Sequence, residues 1–107
     1  MSVPPREFRC PVTVEFEDVD SYGIAHHTRL VAFLERARVR FLADLGIEMD
    51  PRTGPVPVIY EVEMRFLKPA FLMDGLEVGM RVEGTWDFTV DLGYRLRRGD
   101  DVVARAT

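Results

Sequence analysis

Between Phe16 and Arg38 the chain gathers most of the side chains that could do chemistry: carboxylates at Asp18 and Asp20, a glycine at Gly23, adjacent imidazoles at His26 and His27, and an acid at Glu35. Three familiar chemistries fail on spacing. Asp18-x-Asp20-x-Tyr22-Gly23 opens like a calcium loop, but Tyr22 stands at a ligand position and Arg29 holds the place of the bidentate glutamate. His26 and His27 are neighbours, so on a helix they point about 100° apart. Cys10 is the sole cysteine and no second histidine cluster completes a metal site, so neither metal nor cofactor is expected. No Gly-x-Ser-x-Gly elbow supplies a serine nucleophile. What remains is a carboxylate at Asp20 just ahead of a helix, where unpaired backbone N–H groups favour negative charge. Spacing alone leaves Asp20 open between that role and simple capping of a turn or helix. Asp18 reads as a turn or capping group.

The elements that would position these groups follow from periodicity. Val12, Val14 and Phe16 alternate with Thr13, Glu15 and Glu17, which predicts a half-buried strand with Pro11 near its start. Asp18 to Gly23 is rich in Asp, Ser and Gly and predicts a turn. From about Thr28 to Leu45 the residues Leu30, Phe33, Leu34, Ala37 and Phe41 fall on one helical stripe, with Thr28 as a cap or first-turn residue and Gly46 as the stop. Asp50, Pro51, Gly54, Pro55 and Pro57 predict a loop. Then come alternating runs: Tyr60, Val62, Met64 and Phe66; Leu76, Val78, Met80 and Val82; Phe88, Val90, Leu92, Tyr94 and Leu96; and a last strand from Val102 to Thr107. Short turns between the late strands predict an antiparallel meander. One apolar helix and a sheet with one apolar face must cover each other, which gives an α+β domain: a curved, mainly antiparallel sheet wrapped around one long central helix.

Size and charge limit the function classes. A length of 107 residues suits one domain, and a domain so small gains from burying surface against a second copy. The net charge is −4 and no basic face stands out, which argues against nucleic acid. Arg95, Arg97 and Arg98 read as a solvated strand end. No apolar run reaches the roughly 20 residues of a membrane span, and Met1 to Arg6 lacks the apolar core of a signal peptide. Cys10 reads as a small buried apolar residue. A cytoplasmic protein is expected.

The segment from Phe16 to Arg38 resembles the 4-hydroxybenzoyl-CoA thioesterase family and the related short-chain acyl-CoA thioesterases, members of the hotdog superfamily. Asp18-Val19-Asp20, Gly23, His27, Phe33 and Glu35-Arg36-Ala37-Arg38 match without a gap, and Lys68-Pro69-Ala70 followed by Asp74 and Leu76 is similar to a second family stretch. His26 stands where many relatives have a larger aromatic residue and Leu30 where many have Tyr. The chain reaches Thr107 where relatives usually continue through a longer last strand, so the single domain over 1–107 is expected to be short there.

The resemblance implies a hotdog fold and hydrolysis of an acyl-CoA or acyl-carrier-protein thioester. It implies Asp20 as nucleophile or general base and the backbone N–H of His27 as the group that polarises the carbonyl, with Gly23 letting the chain turn closely. Tyr22, His26, Leu30 and Glu35 are the expected substrate contacts. A homodimer or homotetramer with the site between subunits is implied as well. Such a site works without a strong general acid, because thiols have pKa values of about 8.5 and leave readily. Two alternatives stand beside it: a hotdog hydratase or dehydratase pairing Asp20 with His26, and a non-catalytic acyl-binding hotdog protein.

Overall fold

Alternating side chains bury one face of the four longer strands, and the long apolar stripe of the helix closes over that face. The computed structural model describes residues 7–46, 50, 52, 58–59 and 61–107. Among these residues the elements are β1 (Phe8–Thr13), a 3-10 turn (Phe16–Asp18), α1 (His27–Asp44), β2 (Met64–Phe66), β3 (Gly75–Thr85), β4 (Val90–Arg98) and β5 (Asp101–Ala106). The five strands form one antiparallel sheet in the order β1-β3-β4-β5-β2.

Helix α1 buries Leu30, Phe33, Leu34 and Ala37, spaced at three and four residues, with Phe41 partly buried below them. They pack on Cys10 and Val12 of β1, Leu76, Val78 and Met80 of β3, Leu96 of β4 and Ala104 of β5. Each large apolar side chain so buried contributes roughly 1.5–3 kcal/mol. Burial pushes the Tyr94 phenol up, and the nearby Arg38 guanidinium opposes it. The helix begins after His26 and gives way to Leu45, with Gly46 at φ 77, a left-handed conformation that glycine adopts without strain.

Several expectations change in detail. Phe16 is 82% exposed and lies in the 3-10 turn, so β1 ends sooner than its alternation suggests and starts earlier, at Phe8. Pro11 is tolerated inside β1 because that strand lies at the sheet edge. Phe88 is 99% exposed in the β3–β4 turn rather than part of β4. Of the run from Tyr60 to Phe66 only Met64–Phe66 is a strand; Tyr60, like Pro4, Pro5, Pro51, Gly54, Pro55 and Pro57, lies outside the described residues. The meander holds for β3, β4 and β5 but not for β2, which pairs with β5 at the opposite edge. Periodicity finds strands but carries no information about which neighbour each one takes. The β2–β3 connection therefore crosses three strand spacings, about 14 Å. In crossing it passes the end of β1, where Val14 N–H donates to Asp74 O and Met73 N–H to Val14 O, both within 3.0 Å.

Candidate active site

The segment between β1 and α1 folds back on itself. Val19 and Ala25 form an antiparallel bridge, Asp20 N–H donates to Ile24 O at 2.9 Å, and His26 N–H donates to Asp18 O at 2.9 Å. One short ribbon thus carries Asp20 on one arm and feeds directly into the helix from the other. Its tip is a turn in which Gly23 N–H donates to Asp20 O at 3.0 Å, and Gly23 sits at φ 78, a conformation that favours glycine.

Asp20 is half-buried and uses its two oxygens differently. Oδ1 accepts from Tyr22 N–H at 2.8 Å and Ile24 N–H at 3.2 Å, closing the turn in the usual manner of aspartate. Oδ2 accepts nothing from the described residues, so one oxygen holds the loop and the other is available. The helix start offers the complement. Arg29 and Leu30 N–H both point back to His26 O, whereas the amides of His27 and Thr28 have no acceptor among the described residues. Two free N–H groups at the positive end of an 18-residue helix can receive negative charge.

Asp18, two residues away, has none of this freedom. It is 1% exposed; Oδ2 accepts from Glu15 N–H at 2.9 Å and Oδ1 from Arg29 Nε at 2.7 Å. Burial alone would raise its carboxyl, but the Glu15 N–H, the Arg29 guanidinium and the charge of Arg36 outweigh it and hold the group below its ordinary 3.8. The Asp18–Arg29 pair ties the ribbon to the first turn of α1. Arg29 is the residue that spacing did not single out, because its partner is eleven positions away and on another element.

The other expected contacts are spread around this centre. His27 stacks on Phe66 of β2, with ring centroids 4.0 Å apart and planes 9° apart, so the helix start faces the edge strand. His26 and Tyr22 are exposed beside the ribbon. Leu30 lies one turn in, buried in the core. Glu35 is exposed, two turns along α1 from His27 and without a partner among the described residues. From the sequence Phe66 is legible only as a strand residue. Its place at the site follows from β2 taking the far edge beside β5. Among the described residues no three of His, Cys, Asp and Glu stand together as a metal set, and no described helix is long and apolar enough to cross a membrane.

A family model described as the thioesterase-like superfamily matches residues 14–107. This chain belongs to that superfamily. The match takes in the Asp20 ribbon, the whole of α1 and strands β2 to β5. The 1,4-dihydroxy-2-naphthoyl-CoA hydrolase of Thermosynechococcus vestitus is 33% identical over 98 residues, 88% of this chain and 67% of the relative. An acyl-CoA thioesterase of Haemophilus influenzae, YbgC, is 29% identical over 94% of this chain and 76% of its own length. A crystal structure of an Aquifex aeolicus protein superposes with a TM-score of 0.87 at 30% identity, covering 92% of this chain and 82% of that one. The architecture is the hotdog fold of the thioesterase-like superfamily, one helix wrapped by an antiparallel sheet.

Proposed function

We propose that the chain hydrolyses an acyl thioester of coenzyme A or of an acyl carrier protein, with Asp20 as the reacting carboxylate and the amides of His27 and Thr28 as the oxyanion site. The single observation that carries this reading is a free Asp20 Oδ2 on one arm of a ribbon whose other arm runs straight into a helix start with two acceptor-less amides. Membership of the thioesterase-like superfamily and the names of its relatives support the substrate class.

Two routes use the same groups. In the first, Asp20 Oδ2 adds to the thioester carbonyl, the oxygen takes up negative charge against the two amides, and the C–S bond breaks to release thiolate. The mixed anhydride so formed is then cleaved by water, which restores the carboxylate. In the second, Asp20 takes a proton from a water whose oxygen adds to the carbonyl, and the thiolate leaves and recovers the proton. The His27 ring, stacked on Phe66, would lie beside the acyl group. Tyr22, His26, Leu30 and Glu35 are the remaining candidates for substrate contact. The proposal places the protein in the cytoplasm as a homo-oligomer.

A thiol-release assay over a panel of acyl-CoA and acyl-carrier-protein thioesters tests the reading. Asp20→Asn keeps an Oδ1 acceptor for Tyr22 and Ile24 and removes only the charge at Oδ2. Turnover should fall roughly 100-fold or more with the fold intact. Turnover at the wild-type rate in that variant would remove Asp20 from the mechanism. Hydration of an enoyl thioester without thiol release would identify a hydratase, and tight binding without reaction an acyl-binding protein.

A further inference from the structure

The Asp20 ribbon does not stand alone. Residues 70–73 of the β2–β3 connection lie against it: Ala25 N–H donates to Ala70 O at 2.8 Å, Leu72 N–H donates to Gly23 O at 2.9 Å, and Ile24 bridges Phe71. These bonds grip the ribbon on both sides of Ile24, whose own N–H holds Asp20 Oδ1. The place of residues 70–73 therefore bears on the place of the carboxylate, beside the Asp18–Arg29 pair that ties the ribbon to α1.

That connection has no regular structure of its own to hold it. Its tip is a turn in which Asp74 N–H donates to Phe71 O and Phe71 N–H donates to Asp74 Oδ2, with Met73 at φ 71, a left-handed conformation unusual for a residue with a side chain. Backbone bonds hold its two ends, Leu67 and Lys68 N–H to Val103 O and Val14 to Met73 and Asp74, and one side chain from β4 braces the tip between them. Arg98, at the end of β4, donates from Nη1 to Asp74 Oδ2 at 2.7 Å and to Pro69 O at 3.1 Å, and its guanidinium lies 5.8 Å over the Phe71 ring. Both partners are largely shielded, with 30% and 22% of their side chains exposed. A planar guanidinium suits this task, because it bonds a carboxylate and a carbonyl while stacking on a ring.

We infer that Arg98 and Asp74 are a positioning pair, holding the β2–β3 connection so that its backbone fixes the Asp20 turn against the start of α1. The inference rests on the hydrolase reading above for its effect on turnover, and on backbone geometry alone for its effect on the ribbon. Neither residue touches the reacting atoms. Arg98 acts on Asp20 through Asp74, Phe71 and Leu72, a path that runs from the end of β4 past the start of β3 to the loop that follows β1.

The full chain with Arg98→Gln, Arg98→Lys, Asp74→Asn and the Arg98→Gln/Asp74→Asn double substitution tests this, with Lys68→Ala as a control that breaks the exposed Lys68–Asp101 pair on the same connection. Arg98→Gln and Asp74→Asn should each lower kcat about tenfold with KM within about twofold of wild type, since misplacing a reacting group costs the chemical step. The double variant should be no worse than the poorer single one. Arg98→Lys should recover part of the loss, and Lys68→Ala should leave kcat unchanged. In parallel, hydrogen exchange at the Ala25 and Leu72 amides should quicken in Arg98→Gln while that of Val78 in β3 does not. A merely stabilising pair would lower the melting temperature and leave kcat per folded molecule and these two amides unmoved, which overturns the inference. If wild type releases thiol and only Asp20→Asn is inactive, the pair fails and the hydrolase reading stands. If wild type releases none, the hydrolase reading fails and the exchange measurement alone decides the pair.

Discussion

Asp18 and Asp20 have the same functional group two positions apart, and their surroundings give them opposite tasks. Asp18 is sealed in and both its oxygens are bonded, one to the Arg29 guanidinium. Removing its charge leaves Arg29 facing a neutral amide at a buried site. Asp18→Asn should therefore destabilise the fold by about 2–3 kcal/mol, less than a fully buried pair because Arg29 is a third exposed. Asp20→Asn should change stability by well under that, since its turn bonds survive. Urea unfolding of both variants checks the contrast. Acidity separates them too. The folded Asp18 carboxyl lies below its ordinary 3.8, so the unfolded chain takes up its proton first as the pH falls. The stability that Asp18 contributes is complete at pH values above about 5 and is lost as the pH drops through the lowered folded value. The gap in unfolding midpoint between wild type and Asp18→Asn should be wide at pH 7 and narrow progressively at pH 3.5 and below. An equal gap at all pH values would show that the carboxylate charge is not what Arg29 needs. From sequence, both aspartates were legible as turn residues. Their division of labour was not, because it depends on Arg29 swinging back from the helix.

At the scale of the element, α1 was the most legible part of the chain. Its stripe of Leu30, Phe33, Leu34 and Ala37 is buried as the spacing predicts, and its bounds, His27–Asp44, differ by one residue at each end from those read from the sequence. The capping residue is His26, which makes no side-chain cap bond. A conventional Ser, Thr or Asp cap would occupy one of the first amides; here those of His27 and Thr28 remain open. This permits a test of the backbone alone. Proline is well tolerated at the first helical position, because its missing N–H has no helical partner. It also requires an extended residue before it, and His26 already has φ −64 and ψ 144. His27→Pro should therefore fold with a melting temperature near that of His27→Ala, both lacking the imidazole that stacks on Phe66. If the His27 amide meets the oxyanion, His27→Pro should lose a further 100-fold or so in kcat relative to His27→Ala, the usual cost of one oxyanion donor. Equal turnover in the two variants would leave the His27 amide with no part in the reaction.

For the whole molecule, the sequence foretold one helix packed on an antiparallel sheet, while the order of strands across that sheet had to come from the structure. The displaced element, β2, decides two matters at once. Its crossing connection brings residues 70–73 to the Asp20 ribbon, and its edge position sets Phe66 under His27. Among the described residues it also leaves a strand edge unpaired. Glu63 and Thr107 exchange both backbone hydrogen bonds, so the pairing of β2 with β5 alternates and the N–H groups of Met64 and Phe66 point away from β5. Val62, Phe66 and Leu67 are all exposed along this edge. An open edge lined by apolar side chains is a template for another strand. If the protein forms the proposed homo-oligomer, β2 against the β2 of a second copy would join two sheets and place the partner beside each helix start. Sedimentation velocity at micromolar concentration should then find wild type as a dimer or larger. Met64→Pro removes one outward N–H and no bond to β5, so it should shift the species toward monomer while retaining the circular dichroism of the wild-type fold. It should also lower turnover if the partner contributes to the site. Wild type sedimenting as a monomer with full thiol release would show that one chain holds the entire site.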